Sequence, residues 1–376
     1  MRTKILIIAN PEIFTKEYIE NVLSSNGFKI YQTCNDDINN YKYFYKKSKI
    51  ILVNYTKEWN IPFFNKIDRI NDVFYRIRRK MIKRKYDVIH VHGIYPSSIN
   101  LLKELTVDWE SSYIVGTFWG SDLLRATDTV KKEISNNINI FKKISISTDA
   151  MEIRFKAEYG NIYKHTLQRA HWGIGHLSFI MNEFKNNTRN DCKMYFGFSD
   201  NDIVISIGYS GDKGHQHLKV IDQIKYLSEY TKKKIIFILP MTYGYDDNYT
   251  KSIKRELNKL SIKYKIFIDY MSEKEIAKLR IATDVYINSA ITDAASATIV
   301  ECLYAGAILI NPVWIKYSLL ENIGVKYKKY YDFNEIPEII ENIIESGFKT
   351  QEDEREKIET LFLWENAKES WLKLYN

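Results

Sequence analysis

Cysteine is scarce in this chain of 376 residues, with only Cys34, Cys192 and Cys302. The three stand far apart and match no zinc or redox spacing, so they read as reduced thiols of a cytosolic protein. No apolar run approaches the roughly 20 residues of a membrane-spanning helix. The N-terminus goes straight into a strand, so no signal peptide is expected. Internal repeats and low-complexity tracts are missing, and the acidic pair Asp246-Asp247 reads as a solvated loop. Neither sign of charge dominates: 55 Lys and Arg stand against 47 Asp and Glu, a net charge of +8. That excess favours an anionic partner, but a nucleic-acid binder would need its charge concentrated on one face. A composition of 45% hydrophobic and 27% charged residues, over a length that suits two domains, describes a folded soluble protein.

The most informative stretch is residues 292–306. It lies between two apolar runs, 284–289 and 307–312, that read as short buried strands. Asp293 falls in a loop, and Ser296 or a neighbour can cap a helix. Ile299, Val300, Leu303 and Tyr304 recur at helical spacing, and Gly306 can end it. The unpaired N–H groups of Ser296, Ala297 and Thr298, together with the helix dipole, favour a phosphate. Glu301 stands about a turn and a half further on and can face the same cleft. A carboxylate cannot hold a phosphate, but it accepts hydrogen bonds from a sugar diol. A diphosphate flanked by two such carboxylates describes a sugar nucleotide. The plain alternative is a helix with a capping acid and one surface Glu.

Residues 202–217 read as strand, glycine-rich loop and helix, and hold Gly208, Gly211, Lys213, Gly214, His215 and His217. A Lys beside a helix N-terminus neutralises a leaving diphosphate.

Asp293-x(7)-Glu301, followed by Leu303-Tyr304-Ala305-Gly306, resembles the E-x(7)-E signature of GT-B glycosyltransferases, in particular family 4. Residues 202–217 resemble the diphosphate loop of the same family. The resemblance implies an α/β chain of two Rossmann-like domains with parallel sheets facing across a cleft. It implies Glu301 on the nucleotide ribose, Asp293 on the donor sugar, and Lys213 with Gly208 and Gly211 at the diphosphate. It places the base at the strand end of residues 265–271, near Tyr270 and Met271, where Ser272 and Glu275 form a capping box. It also implies retention at the anomeric carbon without a protein nucleophile, and no metal. Several positions depart from the family: Asp293 replaces the first Glu, and Ala294-Ala295 replaces a Phe-Gly pair. Tyr209-Ser210 leaves the usual Arg position unfilled, and Trp119 stands where His is common. Residues 238–245 with Asn248-Tyr249 are also similar to bacterial 4-acetamido-4,6-dideoxygalactose transferases. That likeness implies inversion, for which Asp122 is the candidate general base.

The rest of the chain is read in order. A first strand over residues 4–10 runs into Asn10-Pro11-Glu12-Ile13, with no glycine-rich loop, and then a helix over about residues 15–25. Residues 63–86 form a basic amphipathic helix with an apolar stripe of Ile67, Ile70, Phe74, Ile77 and Met81. It reads either as a packed surface helix or as a contact with anionic lipid. Residues 86–93 read as a strand, and residues 113–124 as a strand that runs into a Gly-Ser-Asp loop. His90 and His92 share one side of the first, and Asp122 in the loop after the second touches a substrate or caps a helix. Residues 172–175 read as the last strand of the first domain, and polar residues 182–193 as the linker. A last helix is expected over residues 357–375.

The domains are therefore 1–181 on the acceptor side, 194–355 for the nucleotide sugar, and 356–376 as a helix crossing back. The expected activity is transfer of a sugar, from a UDP-sugar by preference, to a saccharide or lipid-linked saccharide in bacterial surface polysaccharide synthesis. Retention is favoured over inversion. The protein is expected in the cytoplasm, peripheral to the membrane, without metal or nucleic acid. A sugar-nucleotide epimerase and a non-catalytic sugar-nucleotide binder are the alternatives.

Overall fold

The computed structural model describes residues 3–34, 50–54, 85–105, 110–293, 296–347 and 354–376. All of the basic stretch 63–86 except Lys85 and Tyr86 lies outside them. The chain divides into two compact units, residues 1–173 with 364–376 and residues 174–363.

The first unit holds a parallel sheet of seven strands: β1 Lys4–Ile8, β2 Lys29–Cys34, β3 Ile50–Asn54, β4 Val88–His92, β5 Tyr113–Thr117, β6 Lys143–Ile146 and β7 Thr166–Arg169. Their order is β3-β2-β1-β4-β5-β6-β7. The second unit holds six parallel strands: β8 Ile203–Ile207, β9 Ile235–Pro240, β10 Lys263–Phe267, β11 Val285–Ile287, β12 Ile308–Pro312 and β13 Lys328–Tyr330. Their order, β10-β9-β8-β11-β12-β13, repeats that of the first six strands.

Side chains along a strand point alternately to opposite faces. In the second sheet Ile205, Ile207, Phe237, Val285 and Ile287 enter one core, while Val204, Ile236, Ile238, Tyr286 and Leu309 enter another. Both faces are therefore buried under helices. That explains why these strands read as continuous apolar runs.

Three boundaries differ from expectation. The last strand of the first sheet is β7, and residues 172–175 form no strand. Residues 182–193 are not a linker but contribute to two helices of the second unit, Leu177–Phe184 and Arg189–Tyr195. Their polar side chains serve helix ends. Thr188 and Asp191 form a capping box, Arg189 donates to the carbonyls of Thr283 and Ala305, each at 2.6 Å, and Lys193 pairs with Asp284 at 2.6 Å. The expected last helix is two, Glu354–Phe362 and Trp364–Leu372. The break lies where the apolar residues change cores. Ile358 and Phe362 pack in the second unit, Trp364 and Trp371 in the first.

Candidate functional site

The strand order of the second sheet reverses between β8 and β11. Open α/β sheets take ligands outside the carboxyl ends of their strands at such a point. Two loops leave it, residues 208–216 after β8 and 288–293 after β11. The Gly208 N–H donates to the Ile287 carbonyl at 3.1 Å, Gln216 Nε2 to the Ser289 carbonyl at 2.8 Å, and the Ile291 N–H to the Gly214 carbonyl at 2.9 Å. The Ser289 hydroxyl donates to the His215 carbonyl. The two loops read from separate parts of the sequence thus form one surface.

Glycine is required twice in the first loop. Gly208 has φ +64, and a Cβ there would lie 2.9 Å from His217 Nε2. A Cβ on Gly211 would lie 2.8 Å from the Gly244 carbonyl oxygen. Lys213 opens a single turn, Lys213–His215, with its side chain 66% exposed and Nζ 3.2 Å from Asp246 Oδ2. Asp246 also accepts from the Tyr249 N–H at 2.7 Å and caps the helix Asp247–Lys259, and Asp247 pairs with Lys251. The acidic pair is exposed, as a solvated loop would be, but both carboxylates are engaged.

The helix Ala297–Tyr304 starts from Ser296 in an extended conformation, and the Ser296 hydroxyl makes no capping bond to its first turn. Gly306, at φ +88, follows its end. Glu301 projects from this helix into the protein and is 6% exposed. Its Oε2 accepts from Arg280 Nε at 2.9 Å, and its Oε1 lies 3.5 Å from His176 Nδ1. Arg280, from the helix Glu273–Ala282, also donates to Thr298 Oγ1 at 3.1 Å. His176 Nε2 donates to the Glu273 carbonyl at 2.8 Å. Burial alone would raise the Glu301 pKa; the facing His176 and the Arg280 charge outweigh it and hold the value at about 2. Burial likewise opposes protonation of His176, and its contact with Glu301 reverses the balance and raises its pKa. Glu301 is therefore a fixed, ionised carboxylate. A carboxylate has about four acceptor positions, of which these partners take two.

Asp293 Oδ2 accepts from the Tyr317 hydroxyl at 2.7 Å. Tyr317 accepts from Asn288 Nδ2 at 3.0 Å, and Asn288 Nδ2 also reaches Asn311 Oδ1 at 2.8 Å. Burial first, and the Asp293 charge second, push the Tyr317 pKa well up, so the phenol remains a donor. At the end of β10, Tyr270 is 88% exposed, while Met271 is buried in the same core as Ile299 and Val300. Ser272 and Glu275 form the expected capping box.

Asp122 lies in the other unit. Its Oδ2 accepts from the Ile94 N–H at 2.8 Å, and its Oδ1 from the N–H groups of Trp119 at 2.8 Å and Gly120 at 2.9 Å. Desolvation raises its pKa to about 6 against the pull of these backbone donors. The carboxylate holds the loops after β4 and β5 together.

Sequence reading missed Arg280, His176 and Tyr317. The sign of Arg280 was its place in the apolar run Ile276-Ala277-Lys278-Leu279-Arg280-Ile281-Ala282, where a buried cation needs a partner. His176 and Tyr317 carried no signal.

Neither family models nor curated proteins match the sequence. Solved structures do match its fold over the whole chain. HepE from Anabaena, in complex with UDP and glucose, is 14% identical with a TM-score of 0.69, covering 100% of this chain and 99% of that one. Sucrose-phosphate synthase from Thermosynechococcus elongatus is 13% identical with a TM-score of 0.70, covering 100% and 98%. A glycosyltransferase from Rickettsia africae is 14% identical with a TM-score of 0.68, covering 100% and 98%. The chain has the GT-B fold, with two Rossmann-like units built on parallel sheets.

Proposed function

We propose that this protein is a glycosyltransferase that moves a sugar from a nucleotide diphosphate sugar, a UDP-sugar by preference, to a hydroxyl of a saccharide or lipid-linked saccharide. The observation that carries this reading is the pair of joined loops at the β8/β11 reversal, with a buried, ionised Glu301 behind them. In this reading Glu301 accepts from the ribose diol through its two remaining acceptor positions. Lys213 and the first-turn N–H groups of the helix Ala297–Tyr304 hold the diphosphate and stabilise its departure. Gly208 and Gly211 let it approach the backbone, Asp293 orients the donor sugar, and Tyr270 offers a ring to the base. The UDP complexes of HepE support the choice of UDP.

Lys213 and the helix end supply the charge stabilisation that a metal supplies elsewhere, so the reaction is proposed to be metal-independent. Retention is favoured over inversion. An inverting enzyme needs a free base, and Asp122 already accepts three backbone hydrogen bonds. Asp122 then acts by positioning the loops around Trp119. The basic residues 63–86 support work beside an anionic membrane in bacterial surface polysaccharide synthesis.

The test is incubation with UDP-sugars and a panel of saccharide and lipid-linked acceptors, followed by NMR of the product. A new glycosidic bond with the anomeric configuration of the donor is expected. An epimerised nucleotide sugar without transfer would replace this reading with an epimerase.

A further inference from the structure

His92 ends β4, and its ring lies in a cage of aromatic side chains at the carboxyl edge of the first sheet. Ring centroids stand 3.9 Å away for His90, 4.6 Å for Tyr18, 5.9 Å for Trp172, 6.2 Å for Trp371 and 6.3 Å for Trp119. The imidazole is 6% exposed, and neither of its nitrogens has a hydrogen-bond partner. The buried Nε1 of Trp119 has none either. The stacked neighbour His90 is different, with Nδ1 2.6 Å from the Tyr375 hydroxyl and Nε2 2.7 Å from Thr117 Oγ1. Buried polar groups are almost always paired, and each exception calls for a partner. Three such atoms in one cage, at a strand-order reversal where open sheets take ligands, point to a partner from outside the chain.

The cage is thin toward solvent. Trp119 and Trp172 are only partly buried, and Phe14, 6.0 and 6.5 Å from them, is 49% exposed. We propose that His92, Trp119 and Trp172 form a binding site for an uncharged saccharide ring, which enters by displacing Phe14. The chemistry selects this class. Burial lowers the His92 pKa to about 3 and keeps the ring neutral, so one nitrogen donates and the other accepts. A hydroxyl does both as well. The indoles offer apolar faces to the C–H side of a pyranose. A bare hydrocarbon would leave the three polar atoms unpaired, and a phosphate or carboxylate meets only uncharged rings in this cage. That the ring belongs to the acceptor rests on the glycosyltransferase reading; the binding does not.

The test is 15N NMR of the tryptophan indole N–H groups of the full chain, titrated with methyl glucoside, methyl galactoside, methyl N-acetylglucosaminide and inorganic phosphate. The Trp119 signal, assigned by its loss in Trp119→Phe, shifts saturably with at least one pyranoside and not with phosphate. His92→Phe keeps a ring and removes both nitrogens. It weakens that binding at least about tenfold and raises the melting temperature of the ligand-free protein. If His92→Phe does not fold, Trp119→Phe, followed through the Trp172 indole, must show weaker binding. The idea fails if no pyranoside gives a saturable shift, if phosphate does, or if the dissociation constant in the folded variant is unchanged. Stabilisation by UDP in the same samples reports the second unit separately, so failure of the donor reading is distinguishable from failure here.

Discussion

Arg280→Met removes the cation from a buried ion pair and leaves Glu301 with His176 alone. Breaking such a pair by removing one member costs about 3–5 kcal/mol, because the remaining charge is left uncompensated. The depression of the carboxylate from 4.5 to about 2, which His176 and Arg280 produce together, corresponds to about 3 kcal/mol for the whole cluster. The sign follows from the direction. A depressed carboxylate stabilises the fold above its unfolded pKa, and this contribution disappears as pH falls from 4.5 toward 2. In Arg280→Met the loss is therefore largest at pH 7 and shrinks as pH falls below 4.5, because Glu301 without its counter-charge takes up a proton that the wild-type carboxylate takes up only near pH 2. Arg280→Met with Glu301→Met removes both charges and recovers most of the stability. Urea denaturation of the three proteins at pH 7 and pH 4 measures this, and the double variant remains informative if the single one does not fold. A loss under about 1 kcal/mol at pH 7, a loss independent of pH, or simple additivity in the double variant would refute the pairing.

Lys213→Ala is expected to weaken UDP binding about ten- to hundredfold and to leave uridine binding unchanged in calorimetry. Its pair with Asp246 is solvent-exposed and screened, so the melting temperature stays nearly constant. Tyr317→Phe removes the donor to Asp293 and lowers kcat without changing nucleotide affinity; a loss confined to affinity would contradict the role given to Asp293. Gly208→Ala forces a side chain into a left-handed backbone against His217 and destabilises by about 1–3 kcal/mol in thermal melts, whereas a change within about 0.5 kcal/mol would show that the loop yields. Transfer activity is expected to persist in excess EDTA, and its loss with recovery on adding Mg2+ would overturn metal independence.

The legible parts of the fold were those where one sequence pattern has one physical cause. β8, β11 and β12 are covered on both faces and read as apolar runs, and Gly306 and the Ser272–Glu275 box mark helix ends by local backbone chemistry. Residues 182–193 were misread because their polar side chains satisfy caps and distant carbonyls, which a periodicity search cannot see. The break at Leu363 was hidden because Ile358 and Trp371 look alike in sequence but enter different cores. At the candidate site, Asp293 and Glu301 were singled out by a spacing that resembles a family signature, and Lys213 by the likeness of its glycine-rich loop. Their partners Tyr317, Arg280 and Asp246 lie 24, 21 and 33 positions away, and only the fold brings them together.

The central claim is that Glu301 and the joined loops bind a nucleotide diphosphate sugar. A thermal-shift panel of UDP, GDP, dTDP and CMP with their sugars tests it most directly, on wild type and on Glu301→Gln, which spares Arg280 the full loss of its partner. A ligand at a hundred times its dissociation constant adds about 2.7 kcal/mol of stability. The account predicts that UDP and a UDP-sugar stabilise wild type and stabilise Glu301→Gln much less. No stabilisation of wild type by any nucleotide, or equal stabilisation of the variant, would contradict it.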